Sequence, residues 1–126
     1  MKLSQKCKVA VCIPTLNEAD NISATTQSVD QGLRSILSPD QYVIVNADNN
    51  SPDKTGELFM ATETVGAKKC IMTTGRGKGR NLLRFIEYCR QHGVRVAATI
   101  DGDIKTIGKD WAPKLVIPLL EDSVDY

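Results

Sequence analysis

The chain has 126 residues, a length that suggests one domain with a core of its own and no need for disulfide or metal staples. Hydrophobic residues make up 41% and charged residues 25%, with a net charge of +1, which excludes a global electrostatic pull toward nucleic acid or an anionic membrane. No apolar run approaches the roughly 20 residues of a membrane span; the polar N-terminus, Met1 to Lys8, lacks the apolar segment of a signal peptide, and a cytoplasmic location is expected.

Lys8 to Ile13 is an apolar run that reads as a buried strand ended by Pro14. Pro14 to Glu18 is then a loop, with Asn17 or Asp20 as cap of the next helix and Glu18 and Asp20 favourable in its first turn. Ile22, Thr26, Val29, Leu33 and Ile36 recur at helical spacing, so Glu18 to Leu37 is one amphipathic helix, broken by Ser38-Pro39-Asp40.

Tyr42 to Val45 is the second strand, followed by the turn-tolerant stretch Asn46 to Ser51. Ser51 as N-cap and Pro52 at the first helical position predict a helix start, Leu58, Ala61 and Val65 mark its inner face, and Gly66 ends it. Lys69 to Thr73 is a third strand. Gly75 to Arg80 is a basic, glycine-rich loop leading into a helix over Lys78 to His92, whose inner face carries Leu82, Leu83, Ile86 and Cys89 and whose stop is Gly93. The fourth strand, Val94 to Ile100, runs directly into Asp101-Gly102-Asp103. Lys109 to Glu121 begins as a helix with Trp111, Leu115 and Leu119 on one side, until Pro118.

Strand and helix thus alternate four times, which implies a parallel sheet with helices on both faces, a Rossmann-like α/β architecture of strand order 3-2-1-4. Ligands of such sheets bind beyond the C-terminal strand ends at the switch point, here between the first and fourth strands, with Glu18 and Asp101 on either side.

The polar loops at those ends carry the chemistry. Asp101 and Asp103 project to the same side of an extended segment, and two carboxylates suit Mg²⁺ or Mn²⁺; the plain alternative is an Asp-Gly surface turn. Asp48 stands where nucleotide-binding sheets place a group for ribose or base, although turn and cap chemistry accounts for Ser51 and Pro52 beside it. Lys78 with Arg76 or Arg80 supplies charge for phosphates, in a loop that is not a Walker motif because Gly79 follows the lysine. Aromatic residues are only 5% of the chain and none interleaves with this basic patch, which argues against nucleic acid. Pro14 to Glu18 holds no glycine, which argues against a dinucleotide fingerprint. Four cysteines without Cys-x-x-Cys spacing and a single histidine point to reduced, buried thiols and not to a zinc site. His92 reads as a helix-end residue and Trp111 as core.

Val11 to Glu18, Val43 to Thr55, Gly77-Lys78-Gly79 and Asp101-Gly102-Asp103, in this order and spacing, resemble the N-terminal, nucleotide-sugar-binding half of GT-A-fold glycosyltransferases of the family 2 type. The likeness runs from about Lys8 to Tyr126 and, within the group, is similar to enzymes making glucosyl-3-phosphoglycerate or mannosylglycerate. It implies a UDP- or GDP-hexose donor. Pro14, Thr15 and Glu18 would line the nucleoside pocket, Asp48 would contact the base, and Lys78 would lie near ribose and phosphates. Asp101 would approach ribose or metal, and Asp103 would bind the Mg²⁺ or Mn²⁺ bridging the diphosphate. Asn49 and Asn50 depart from the family's Asp-Gly, with Asn50 tolerable in a left-handed turn. The chain reads as a single donor-binding domain over residues 1–126 that lacks the acceptor half of the fold: either an excised or truncated piece, or a short protein that pairs with a completing partner chain or forms a homo-oligomer, to which the sheet edge left open at the fourth strand lends itself. Two other readings stand beside this one: a sugar-phosphate nucleotidyltransferase, and a non-catalytic domain that binds nucleotide or a partner.

Overall fold

A computed structural model of the chain describes residues 7–73 and 78–100. The acid pair at Asp101 and Asp103, most of the basic loop and the predicted helix from Lys109 lie outside these residues. The elements, in order, are β1 (Val9–Thr15), α1 (Ile22–Arg34), a short 3₁₀ turn (Pro39–Gln41), β2 (Tyr42–Asp48), α2 (Thr55–Ala61), β3 (Ala67–Met72), α3 (Lys78–Gln91) and β4 (Val96–Thr99). The four strands form one parallel sheet of order β3-β2-β1-β4, the order expected from the alternation.

The period of two along each strand divides the core between two faces. Val9, Val11 and Ile13 of β1 join Tyr42 and Ile44 of β2 beneath α1 and α2, where Ile22, Val29, Leu33 and Phe59 complete the layer. Ala10, Cys12, Val43, Val45 and Ala47 face the opposite way onto Phe85 and Cys89 of α3. Both faces are covered, which is why β1 and β2 read as near-continuous apolar runs and not as alternation.

Three local expectations are corrected. β1 does not stop at Pro14: it continues to Thr15, with Pro14 paired to Ala47. The carbonyl of Thr15 accepts from Asn49 N–H at 3.0 Å on the β2 side, and that of Cys12 accepts from Ile100 N–H at 2.9 Å on the β4 side. Alternate residues therefore bond to opposite neighbours, and Pro14, in phase with Cys12, lacks its N–H on the β4 flank, beyond the last described pair of Cys12 with Thr99.

α1 starts at Ile22, not at Glu18, because Asn17 takes a left-handed φ of 58° and the N–H groups of Asn21 and Ile22 both turn back onto the Glu18 carbonyl, at 3.0 and 2.9 Å. Neither Asn17 nor Asp20 caps it; Asn21 holds the N-cap position without a side-chain capping bond, and the first turn holds no acid.

α2 starts at Thr55 behind Lys54, which has φ of 66°, and not at Ser51-Pro52. That shift rotates the helix: Thr55, Gly56 and Phe59 face inward, while Leu58 and Val65 are 40% and 49% exposed. The helix ends at Ala61. Gly66 serves a different purpose, since a side chain there would run into the Tyr42 ring. Asp30 closes the same contact by accepting from Tyr42 Oη at 2.5 Å and from the N–H groups of Val65 and Gly66 at 3.0 and 3.1 Å. Lys68 covers the exposed end of α2 by donating to the carbonyls of Phe59, Met60 and Thr62.

In α3 the inward positions belong to Asn81, Phe85 and Cys89, whereas Leu83 and Ile86 are 61% and 50% exposed. Gly93 follows with φ of 66°, the left-handed stop that its position predicts.

Candidate functional site

β2 delivers the centre of the site. Its run continues past Val45 through Asn46 and Ala47 to Asp48, so Asn46 and Asp48 are strand residues, both completely buried. The Asp48 carboxylate is held from three directions. Oδ1 accepts the Thr15 hydroxyl at 2.8 Å and the Ser51 hydroxyl at 2.6 Å, and Oδ2 accepts the Ser51 N–H at 2.8 Å. Asn46 supports this from below by donating Nδ2 to the Thr15 hydroxyl oxygen at 2.8 Å and to the Ile13 carbonyl at 2.9 Å. A polar ladder thus joins the C-terminal ends of β1 and β2, each buried group with a partner, as a low-dielectric interior demands.

The next layer fastens the loop after β1. Asn17, Glu18 and Ala19 are consecutive, and their N–H groups go in turn to Ser51 Oγ at 2.9 Å, Thr55 Oγ1 at 3.0 Å and Asp53 Oδ2 at 3.1 Å. Asp53 also accepts the Thr55 hydroxyl and, at 3.2 Å, the Thr55 N–H. The Thr55 hydroxyl, followed by these backbone donors, holds the Asp53 carboxyl below its usual range. What the loop still presents is the half-buried Glu18 carboxylate, steadied by Asn21 Nδ2 at 3.2 Å, and the apolar Leu16, 53% exposed at the end of β1.

The third layer lies on the β3 side. Thr73 directly follows β3 and donates its N–H to the Asp48 carbonyl at 2.9 Å. Its hydroxyl donates to Asn81 Oδ1, and Asn81 Nδ2 donates to the Ala47 carbonyl at 3.0 Å. Beside Thr73 a groove of about 310 Å³ runs between β3 and α3, lined by Met72, Arg80, Leu83, Arg84 and Glu87. Two guanidinium groups and one carboxylate therefore line that flank.

The sequence-predicted residues are therefore partly brought together. Pro14, Thr15, Glu18 and Asp48 share the C-terminal edge of the sheet, and Lys78 opens α3 at that edge. Asp101 and Asp103 lie outside the described residues, but Ile100 N–H bonded to the Cys12 carbonyl brings the chain beside β1 one residue before the pair. Thr15 and Asp48 hold each other, and with all three donors accounted for Asp48 is a hub beneath the surface and not an open acceptor.

Sequence reasoning passed over the outward group next to it. Asn49 is half-buried, and among the described residues its side-chain amide makes no hydrogen bond. It also passed over Asn46, whose signal was a polar residue inside an apolar strand. Asn81, which sits where the inner face was read from Leu82, Leu83, Ile86 and Cys89, gave no such signal. Among the described residues no group of His, Cys, Asp and Glu is arranged to hold a metal, and no helix is long and apolar enough to cross a membrane.

Comparison with known proteins agrees with this geometry. The chain superposes on the crystal structure of a mycobacterial protein with a TM-score of 0.66 at 22% identity, covering 94% of this chain and 38% of that one. It superposes on M. tuberculosis glucosyl-3-phosphoglycerate synthase with a TM-score of 0.62 at 21% identity, covering 90% of this chain and 41% of the enzyme. At these identities the likeness is one of fold, that of the GT-A glycosyltransferases, and the chain spans about two-fifths of the length of either structure. No curated protein matches the chain. The model of the family described as glycosyl transferase family 2 matches residues 10–126, and the chain belongs to that family.

Proposed function

We propose that residues 1–126 form the donor-binding domain of a metal-dependent hexosyltransferase, which takes a UDP- or GDP-hexose across this edge and, in the complete enzyme, passes the hexose to a small acceptor. The observation that carries the reading is the convergence at one edge of a hydrogen-bonded shelf from β1 and β2, the start of α3 and the end of β4. In this reading Leu16, Glu18 and the side-chain amide of Asn49 frame the nucleoside. Thr15 and Asp48 keep that frame in place from below, and Lys78 with the α3 flank takes the diphosphate. Asn49 offers both a donor and an acceptor, the pattern that the N3–H and O4 edge of uracil requires.

Asp101 and Asp103 would hold Mg²⁺ or Mn²⁺. Two carboxylates from one short segment form an oxygen-only donor set of the kind those ions prefer, with positions left for substrate phosphates. The bound ion would stabilise charge on the departing diphosphate. Groups for the acceptor would come from a further part of the chain, a second copy or a partner chain. The likeness to glucosyl-3-phosphoglycerate synthase favours a phosphorylated or carboxylated three-carbon acceptor within this reading. The nucleotidyltransferase alternative is disfavoured by the loop after β1: a triphosphate site there needs free N–H groups, and those of Asn17, Glu18 and Ala19 are spent on Ser51, Thr55 and Asp53.

Calorimetric titration with UDP- and GDP-sugars, with and without Mn²⁺, tests the proposal. Metal-dependent binding that is lost in Asp103→Ala is the expected result. A folded protein that binds neither donor, or that binds one indifferently to Asp103→Ala, refutes it. Donor binding without transfer in the completed enzyme would instead support the non-catalytic reading.

A further inference from the structure

The Thr73–Asn81 pair raises a question that the base side of the site leaves open: what fixes the phosphate side. α3 begins at Lys78, and a helix start is the part of a helix most prone to fray. Asn81 lies in that same first turn, 2% exposed, and it ties the turn to two strands at once. Nδ2 holds the Ala47 carbonyl on β2 at 3.0 Å, while Oδ1 receives the hydroxyl of Thr73 beyond β3. Thr73 is in turn fixed by its N–H to the Asp48 carbonyl at 2.9 Å. The amide therefore connects the first turn of α3, directly and through Thr73, to the carbonyls on either side of the Asp48 Cα, the same backbone that leads into the base-side loop. An amide donates to a carbonyl and accepts from a hydroxyl through two separate atoms, and so can span two partners. An apolar residue at this inward position would take from the Ala47 carbonyl and the Thr73 hydroxyl the partners that join the helix to the strands.

We infer that Asn81 is a positioning residue for the donor's diphosphate: by pinning the first turn of α3 to the ends of β2 and β3, it sets the distance between the nucleoside frame and the basic start of the helix. This rests on the nucleotide-sugar reading above. The contribution is preorganisation, since a turn already held in place loses no freedom when the anion arrives. It follows that the effect belongs to phosphate-bearing ligands and not to the nucleoside.

The test compares wild type, Asn81→Ala, Thr73→Val and Thr73→Ser in Mg²⁺. UDP and GDP are titrated by calorimetry and the matching nucleosides by NMR shift changes, with circular dichroism confirming that each variant is folded. The expected outcome is a loss of about tenfold or more in diphosphate affinity for Asn81→Ala and Thr73→Val. Nucleoside affinity stays unchanged, and Thr73→Ser, which keeps the hydroxyl, behaves as wild type. Should Asn81→Ala fail to fold, Thr73→Val, which keeps the shape of the side chain, decides the matter. Unchanged diphosphate affinity in the folded variants overturns the inference while leaving the donor-binding reading intact, and so does a loss shared equally by nucleoside and diphosphate. A folded wild type that binds neither nucleotide overturns both.

Discussion

Replacing Asp48 by asparagine, at constant shape, separates two roles that the sequence alone merges: contact with the base and support of the loops. Two carboxylate oxygens meet three donors, the hydroxyls of Thr15 and Ser51 on Oδ1 and the Ser51 N–H on Oδ2. Asparagine supplies one acceptor oxygen. If it stays at the Oδ1 position, the new NH₂ faces the Ser51 N–H, donor against donor. If it moves to the Oδ2 position, the NH₂ faces both hydroxyls, whose oxygens already accept from Asn46 Nδ2 and from the Asn17 N–H. Either way at least one buried donor loses its partner, a cost of about 1–3 kcal/mol. Asp48→Ala removes all three partners and costs about 3–5 kcal/mol, a large part of the stability of a small domain. Urea unfolding followed by far-UV circular dichroism should show the midpoint falling with the slope unchanged. Nucleotide affinity of the folded Asp48→Asn protein, measured alongside, should weaken only as the shelf loosens. Stability within about 0.5 kcal/mol of wild type, combined with a loss of nucleotide binding, would show that the carboxylate faces the ligand and that the hub assignment is wrong.

Gly66→Ala drives a methyl group into the Tyr42 ring, which is 1% exposed and fastened to Asp30, and should lower stability by about 1–3 kcal/mol in the same urea assay. Lys54→Gly relieves the left-handed φ of 66° at an exposed position, and a gain of a few tenths to about 1 kcal/mol is expected once the added freedom of the unfolded chain is set against it. Alkaline pH should destabilise the fold. Burial pushes the Cys12 thiol up to about 12 and, with the neighbouring Cys7, the Cys89 thiol up to about 11, from an ordinary value of 9.0. Burial followed by the Asp30 carboxylate raises Tyr42 as well. In each case the folded state keeps a proton that the unfolded chain releases sooner, so stability is complete below pH 9 and declines from there toward the folded values. Melting temperatures from pH 7 to 10.5 should fall at the alkaline end, and less steeply in Cys12→Ala; a flat profile refutes this.

The strand order and the edge that bears the site were legible because periodicity and alternation report on layers, and layers tolerate local error. The helix faces were less legible. Assigning Ser51-Pro52 to a helix start rotated the reading of α2 and put Leu58 inside in place of Phe59, when Ser51 had been recruited by the Asp48 carboxylate 2.6 Å away. In α3 the apolar residues outnumber the inward positions, and one of those positions is taken by Asn81, whose partners Ala47 and Thr73 belong to other strands. Asp48 shows the general limit. Composition and spacing identify an acid at a strand end, whereas the number of donors that reach it depends on two other places in the chain, Thr15 and Ser51.

The capture of the Asn17, Glu18 and Ala19 N–H groups by Ser51, Thr55 and Asp53 has a consequence for how this region can vary. The bonds tie the loop after β1 to the segment that leads into α2, more than thirty positions away in sequence. An insertion or deletion in either segment moves some of these donors away from their acceptors and costs bonds that fix the loop after β1. New specificity in this part of the molecule costs least when side chains are exchanged on a frame of unchanged length.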